Sequence, residues 1–352
     1  MKALVLGKGK SGEAAAGLLK SRGYEIDFAA GYDLVVASPG LPVKSELQLG
    51  CEELKRRGVK LLAVTGSKGK SSVVKLVAEA IGGIPCGNYG MPVSEVGETG
   101  WAVVEVSSFQ LETTNLAPDT FEAAAILNLQ EDHLDRHGSV AAYHAIKRRL
   151  LTMTKRPVLP MDASVEDMAL MAGSYFDNEV LRANGSVAIA LMRAAGLQDA
   201  AIHRAFAGFR PLPHRMEKVA EIDGVDYVDD SKATSIAALE AGVRMCKGKV
   251  RLIAGGLPKG DDPKIVRSTL TERVKKVYLI GQSAKTFESA WASAVDCEIC
   301  ETMERAIESV KREVERGETV LLSPGTASFD QFESFGERGA VFADLVKKGK
   351  KE

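Results

Sequence analysis

The segment Thr65-Gly66-Ser67-Lys68-Gly69-Lys70-Ser71-Ser72 joins a short apolar run to an amphipathic stretch, and its residue types suit phosphate binding. Where a strand turns into a helix, backbone N–H groups and the helix dipole converge on an anion. In such a loop Lys70 neutralises β- and γ-phosphates, and the Ser71 hydroxyl is placed for Mg²⁺. The full G-x-x-x-x-G-K-[ST] spacing is not met, because Val64 stands where its first glycine belongs. The pattern is instead a compressed T-G-x-x-G-K-S.

A second glycine-rich loop, Gly7-Lys8-Gly9-Lys10-Ser11-Gly12, follows the first apolar run. It satisfies G-x-G-x-x-G, with Asp27 at the distance of a ribose-binding acid. Taken alone it admits a nicotinamide-dependent dehydrogenase, a nucleotide-binding sensor, or a turn with no ligand. Beside the downstream phosphate loop, another diphosphate such as a UDP group is the more natural occupant. Two further clusters sit at the ends of apolar runs: Glu105 in Glu-Val-Ser-Ser-Phe-Gln-Leu-Glu, and Glu131-Asp132-His133-Leu134-Asp135-Arg136-His137. A carboxylate at a strand's carboxyl end faces the crevice where nucleotides bind, and Mg²⁺ takes such hard oxygen ligands. The His/Asp cluster also admits zinc, although no cysteine lies near it and no helix face orders its histidines.

The elements that must position these residues are legible as short runs rich in Val, Ile and Leu. They are Lys2–Gly9, Asp33–Gly40, Lys60–Gly66, Trp101–Ser108, Ala123–Asn128, Val225–Asp230, Lys249–Gly256, Lys276–Gly281 and Glu318–Gly325. Runs of this length read as buried parallel strands. Amphipathic stretches such as Ser71–Ile81, Ser186–Ala195 and Met303–Glu315 alternate with them, which predicts an α/β chain of doubly wound sheets. A chain of 352 residues is expected to hold two or three domains. The divisions fall at residues 1–59, 60–212 and 213–352, the last following the linker-like Arg210–Pro213.

The net charge of -1 argues against a general nucleic-acid binder. The basic stretch from Lys347 to Glu352 reads as a solvated terminus. The five cysteines, Cys51, Cys86, Cys246, Cys297 and Cys300, lack paired metal spacing and read as reduced thiols. No apolar run approaches the ~20 residues of a membrane span, and the N-terminus lacks the h-region of a signal peptide. A cytoplasmic protein without membrane insertion is expected.

Taken in order, these motifs are joined by Leu212-Pro213-His214-Arg215, Asp230-Ser231-Lys232-Ala233-Thr234 and Gly255-Gly256. The series closes with Leu322-Ser323-Pro324-Gly325-Thr326-Ala327-Ser328-Phe329-Asp330-Gln331-Phe332. The set resembles the Mur ligases, specifically their D-glutamate-adding branch, over almost the whole chain. The resemblance implies three α/β domains, each a Rossmann-like or P-loop-like sheet. These would bind a UDP-substrate, ATP and the incoming amino acid in turn.

The implied reaction joins UDP-N-acetylmuramoyl-L-alanine to D-glutamate, at the expense of ATP, during peptidoglycan synthesis. An acyl phosphate is made on the substrate carboxylate and an amine then displaces phosphate. Such chemistry needs charge neutralisation and positioning rather than a protein nucleophile. By resemblance, Ser71 and Glu105 hold one Mg²⁺, and Glu105 with His133 holds a second. A carbamylated lysine completes the second site; Lys147 is the candidate, four residues after Tyr143. Gly66, Ser67, Lys68, Gly69, Lys70, Ser71 and Ser72 take the ATP phosphates, and Asn184 the base. Arg215 and Asp230 match contacts to ATP phosphate and ribose.

Lys232 and Thr234 match positions on the incoming amino acid and transferred phosphate. Lys259, Ser328 and Phe335 complete a D-glutamate pocket, where Lys259 would select an acidic side chain. Asn88 and Ser107 match contacts to the muramoyl-alanine part, and Gly9, Lys10, Ser11 and Gly12 face the UDP diphosphate. A monomer is expected. The first segment is shorter than a full uridine-binding domain, and the central one is clipped between about Leu151 and Asn178. A folylpolyglutamate-type or other Mur-like amide ligase is the rival within the class.

Overall fold

The structure, a computed structural model, describes residues 1–30 and 43–348. The strand expected at Asp33–Gly40 and the last residues of the basic terminus lie outside the described residues. The chain gathers into two compact units, one of Met1–Asp177 with Leu181–Phe209 and one of Asn178–Val180 with the chain from Arg210 onward.

In the first unit, β3 (Lys60–Thr65), β4 (Ile84–Gly87), β5 (Trp101–Glu105), β6 (Ala123–Ile126) and β7 (Pro157–Val158) form one sheet. Its order is β4-β5-β3-β6-β7 and every pair is parallel. The three central strands are apolar on both faces because helices cover both. One face packs Leu61, Ala63, Ala102, Val104 and Ala124 against Leu47, Cys51 and Leu54 of the helix Glu46–Arg56. Register aligns the loops: Val64 pairs with Glu105 on one side and with Ala125 on the other. The carboxyl ends of β3, β5 and β6 are therefore level, and the chain leaves each into one of the motif loops.

The amino-terminal segment pairs β1 (Lys2–Leu6) with β2 (Glu25–Ala29) in parallel across the helix Lys10–Ser21. The expectation of a buried strand fails for β1. Val5 is covered, beneath a helix whose Ala14, Ala15 and Ala16 are also buried, but Leu4 and Leu6 are exposed.

The second unit holds β8 (Glu217–Ile222), β9 (Val225–Asp229), β10 (Val250–Gly255), β11 (Val274–Ile280), β12 (Asp296–Glu301) and β13 (Thr319–Leu322). Their order is β12-β11-β10-β13-β9-β8, parallel except for the edge pair β8–β9. Alternate residues face opposite helical layers. Leu252, Val277, Leu279 and Leu321 pack with Val243 and Trp291 on one side. Ile253, Tyr278, Ile280, Val320 and Leu322 pack with Val310 and Phe342 on the other. The sheet is doubly wound, as the alternation of runs implied. Strands β2, β4, β7, β8 and β12 were not among the runs read from the sequence. For β8 a signal existed: Asp223-Gly224, both at positive φ, form the two-residue turn that closes an antiparallel hairpin.

All five cysteines are free. Cys297 and Cys300 lie three apart on β12, so their side chains leave opposite faces of the strand.

The first glycine-rich loop owes its shape to Gly12, where an added Cβ would lie 2.2 Å from the Gly7 carbonyl oxygen. A Gly12→Ala variant should therefore lose about 1–3 kcal/mol as the loop and helix are pushed apart. Chemical denaturation followed by circular dichroism measures the loss; unchanged stability would mean the loop yields freely.

Candidate active site

Strand β3 ends in a loop that needs glycine twice. Gly66 stands at φ 149° and Gly69 at φ 83°, and a Cβ on Gly69 would meet Asn184 Nδ2 at 2.3 Å. Asn184 therefore lies directly against the loop, on the buried side of the helix Arg182–Ala194. Between them sits Asn128, just beyond the end of β6. Its Oδ1 accepts from the Lys68 N–H at 2.8 Å, and its Nδ2 donates to Lys68 O at 2.9 Å and to Asn184 Oδ1 at 3.1 Å. The Ser67 hydroxyl is equally well held. It donates to Gln130 O at 3.0 Å and accepts from Gln130 N at 3.0 Å and the Tyr143 hydroxyl at 3.2 Å.

Two lysines converge on one loop carbonyl. Lys70 Nζ donates to Gly66 O at 2.9 Å and to Ser67 O at 3.1 Å, and Lys147 Nζ donates to the same Gly66 O at 2.9 Å. Lys147 comes from the helix Val140–Arg148, is 1% exposed, and lies 4.7 Å from the centre of the Tyr143 ring. Burial, reinforced by the Lys70 charge, pulls its amine down to about 7 against the weaker pull of Asp132 and Glu105. Ser71 and Ser72 occupy the first turn of the helix Lys70–Ile81.

Glu105, at the end of β5, is 2% exposed. Its Oε1 accepts from Asn88 Nδ2 at 2.7 Å, while Oε2 is buried with no hydrogen-bond partner. An anionic oxygen left so is costly unless a cation completes it. Ser107 follows as the N-cap of the helix Ser108–Thr113, its hydroxyl accepting from Gln110 N at 3.2 Å.

His133 adopts a left-handed conformation, φ 53°, and its ring meets Phe109 edge-on at 5.1 Å. His137 turns inward instead. Its Nε2 lies 3.0 Å from Ser108 Oγ, and its Nδ1 lies 3.2 Å from Glu112 Oε1. With His137 so engaged, the zinc alternative for this turn finds no three converging ligands among the described residues.

In the second unit, motif residues collect at the carboxyl ends of β9, β10 and β13. Asp230 is buried; its Oδ2 accepts from Ser323 Oγ at 2.9 Å and its Oδ1 from Met216 N at 3.2 Å. Burial pushes this carboxyl up to about 7, a rise that those bonds and Arg215 only partly oppose. Lys232 Nζ stands 3.9 Å over the centre of the Phe335 ring. Burial and the charges of Arg215 and Lys259 lower the Lys232 ammonium. Lys259 Nζ donates to Thr234 Oγ1 at 3.1 Å. Ser328 is buried, its carbonyl accepting from Gln331 N and Phe332 N. Three cations near one another, with hydroxyls and an aromatic face, make a receptor for anions.

His214, Glu217 and Asp229 also lie together, with His214 Nδ1 2.7 Å from Asp229 Oδ2. A Cβ on Gly339 would meet these same atoms at 2.2 and 2.4 Å, so the final helix packs directly on the pair. It is a packed hydrogen-bonded pair.

The region 214–326 matches the family described as Mur ligase, glutamate ligase domain, and the region 94–174 matches the Mur ligase middle domain. The UDP-N-acetylmuramoylalanine--D-glutamate ligase of Acidobacterium capsulatum is 32% identical over 447 residues, covering 98% of this chain and 96% of that one. The ligase of the same name from Myxococcus xanthus is 32% identical, with 98% of each chain covered. The chain belongs to the Mur ligase family. Among solved structures, a MurF ligase from Thermotoga maritima in complex with ADP has a TM-score of 0.63. It covers 99% of this chain and 95% of its own at 17% identity, so it speaks for the fold alone. The alignment of 447 residues against a chain of 352 also makes this Mur ligase a short one.

In this Mur ligase the first unit brings together Gly66–Ser72, Asn88, Glu105, Ser107, His133, Lys147 and Asn184 around the ends of β3, β5 and β6. Arg215, Asp230, Lys232, Thr234, Lys259, Ser328 and Phe335 gather in the second. Gly9 caps the helix Lys10–Ser21 after β1, and Lys10, Ser11 and Gly12 form its first turn. Sequence reading passed over Asn128, whose only signal was its place at the end of the apolar run Ala123–Asn128.

Asn128→Ala should raise the KM for ATP by about tenfold, since it removes the brace on the Lys68 peptide and on Asn184. An unchanged KM in a folded variant would show that the loop keeps its shape without the brace. Asp230 supplies a second expectation. Unfolded, its carboxyl ionises near pH 4, whereas folded it keeps its proton up to about 7. Stability therefore falls as pH rises between those values, where the unfolded chain has already released the proton. Asp230→Asn removes this titration while keeping the shape. Its gain in Tm over the parent should grow from about pH 4 to about pH 7 and level off above. Equal differences at all pH values would contradict the raised carboxyl.

Proposed function

We propose that the chain is an ATP-dependent ligase that joins D-glutamate to UDP-N-acetylmuramoyl-L-alanine, in peptidoglycan precursor synthesis. The observation that carries this reading is the Glu105 carboxylate, with one oxygen fixed by Asn88 and the other buried and unpartnered beside a lysine-bearing phosphate loop. The names of the relatives supply the substrate pair, and none of those relatives is named a dehydrogenase. The lysine and serines in the first helical turn after the Gly66–Gly69 loop suit a nucleoside triphosphate as the phosphoryl donor.

In the first step a carboxylate oxygen of the muramoyl-alanine substrate attacks the γ-phosphorus of ATP, and the bond to the β-phosphate oxygen breaks. ADP and an acyl phosphate result. The amine of D-glutamate then attacks the acyl carbon, phosphate departs, and one proton is released. Lys70 and the loop N–H groups hold phosphate oxygens, and charge developing on the transferred group is neutralised without a protein nucleophile. Asn184 takes the base, while Asn88 and Ser107 orient the acyl end of the substrate. Lys10 and the N-terminus of the helix Lys10–Ser21, entered through Gly9, suit the UDP diphosphate.

The buried, unpartnered Glu105 oxygen fits Mg²⁺, which takes hard oxygen ligands, and Ser71 and His133 would be the further residues to hold it. Mg²⁺ would supply positive charge at the phosphate oxygens. Lys147 as an ammonium would repel it. Because its amine is held at about 7, a large part is unprotonated near neutral pH and able to add carbon dioxide. The product would be a carbamate, formed with release of one proton and offering two oxygens to a cation. On the second unit, Lys259, Thr234, Lys232, Ser328 and Phe335 form the pocket for the two carboxylates of D-glutamate. Lys259 selects the side-chain carboxylate.

The three-part division at residues 59 and 212 remains our reading of how these ligands are shared out. No helix among the described residues is long and apolar enough to cross a membrane.

Protein mixed with ATP, Mg²⁺ and UDP-N-acetylmuramoyl-L-alanine should release ADP only when D-glutamate is added. Release that ignores D-glutamate, or that needs L-alanine or meso-diaminopimelate instead, would sink the assignment. Lys147→Ala should lose at least about a hundredfold in kcat and regain part of it with added short carboxylic acids. Full activity in that variant would remove the carbamate from the mechanism.

A further inference from the structure

Arg338 is fully buried on the second turn of the helix Phe335–Lys347, and among the described residues its hydrogen bonds go to no side-chain carboxylate. Three of its four hydrogen bonds go to main-chain carbonyls, from two separate loops. Nε donates to Ser231 Oγ at 2.9 Å, Nη2 to Ser231 O at 2.9 Å and to Thr326 O at 3.2 Å, and Nη1 to Ala327 O at 3.2 Å. Ser231 belongs to the turn after β9 that carries Lys232 and Thr234. Thr326 and Ala327 belong to the loop after β13 that carries Ser328. A third strand end is packed in as well: a Cβ on Gly256, just after β10, would lie 3.1 Å from Arg338 Nη1 and 2.4 Å from Ala327 O.

We infer that Arg338 is a positioning residue for the amino-acid pocket, a planar fork that locks the Lys232–Thr234 turn to the Ser328 loop. The inference rests on the functional reading above, in which these two loops receive D-glutamate.

The geometry favours this over a plain packing role. A core position is filled most cheaply by an apolar side chain, and burying a guanidinium is costly unless its donors are met. Here the rigid fork meets carbonyl oxygens that are not all bound by regular sheet pairing, because both segments are loops at strand ends. Arginine reaches acceptors on both loops at once, which the single ammonium of lysine cannot do with the same geometry. The same helix places Phe335 one turn earlier, beneath the Lys232 ammonium at 3.9 Å. The helix thus holds the Lys232 turn at two points, by a ring under the side chain and by a fork on the peptide before it. Ser231, itself fully buried, has its N–H held by Asp229 Oδ1 at 2.8 Å. The turn is therefore fixed from both directions. Asp229 in turn is held by His214.

The test compares steady-state kinetics of the full chain with those of Arg338→Lys, Arg338→Ala and the milder Ser231→Ala, each first checked for a cooperative thermal melt. The expected pattern is a KM for D-glutamate raised about tenfold or more in the Arg338 variants and about threefold in Ser231→Ala. The KM for UDP-N-acetylmuramoyl-L-alanine should stay within about twofold in all. Added guanidinium ion at non-denaturing concentration should lower the D-glutamate KM of Arg338→Ala, and an equal concentration of ammonium should not.

Should Arg338→Lys and Arg338→Ala fail to fold, Ser231→Ala decides. A D-glutamate KM equal to that of the parent overturns the inference, and a selective rise supports it. Folded Arg338 variants that lose kcat with both KM values unchanged, or that raise both equally, also overturn it. Absence of D-glutamate-dependent ADP release by the unaltered chain overturns the functional reading and this inference together. A normal parental rate with unaffected variants overturns this inference alone.

Discussion

The Gly66 carbonyl accepts hydrogen bonds from two lysine ammonium groups, and much of the first unit is arranged around that crowding. Lys70 arrives from the first turn of the following helix and Lys147 from a helix that is distant in sequence. Two cations on one oxygen repel each other, and the burial of Lys147 removes much of the water that would screen the repulsion. The strain is relieved in two ways that are both chemically useful. One amine can give up its proton, which makes it a nucleophile, or anions can enter, which is what phosphate and carboxylate substrates bring. The Glu105 oxygen on the neighbouring strand is the counterpart, buried with no hydrogen-bond partner. Such unmet charges are tolerated where a ligand later completes them.

Parallel register is what makes the arrangement possible. With Val64 opposite both Glu105 and Ala125, the loops after β3, β5 and β6 begin at one level. Groups contributed by residues 66 to 147 then share a small region, although the loops that carry them are tens of residues apart in sequence. Asn128 shows how finely this is built. One amide side chain satisfies both backbone polar groups of Lys68 and reaches Asn184, so the glycine-rich loop and Asn184 are set together. The second unit uses the same logic at β9, β10 and β13. There Arg338 takes the part of the brace, and three cations rather than two await anions.

Much of this fold is legible in the order of residue types alone. The alternation of short apolar runs with amphipathic stretches implies doubly wound sheets, and the sheets are parallel but for one edge pair. The strands that carry no such signal are short, exposed or rich in charge. Glu217–Ile222 and Asp296–Glu301 sit at sheet edges, where most of their residues stay partly exposed and charged ones are tolerated. The converse holds at Lys2–Leu6, an apolar run that reads as core yet keeps Leu4 and Leu6 exposed. Hydrophobic pattern reports what could be buried, and the number of covering layers decides what is.

The sequence by itself determined the chemistry on offer: a compressed phosphate loop, a carboxylate and a histidine at strand ends, and the strings shared with D-glutamate-adding ligases. Those are local properties, since a loop's residue types limit which anions or ions it can hold. Tertiary structure alone decided which oxygen of Glu105 lacks a partner, that Lys147 is buried against Gly66, and that Asn128 and Arg338 act as braces. Each of these depends on what a distant segment places beside the residue. Burial and the approach of a second charge shift a lysine by several pH units, and neither is written in its neighbours along the chain.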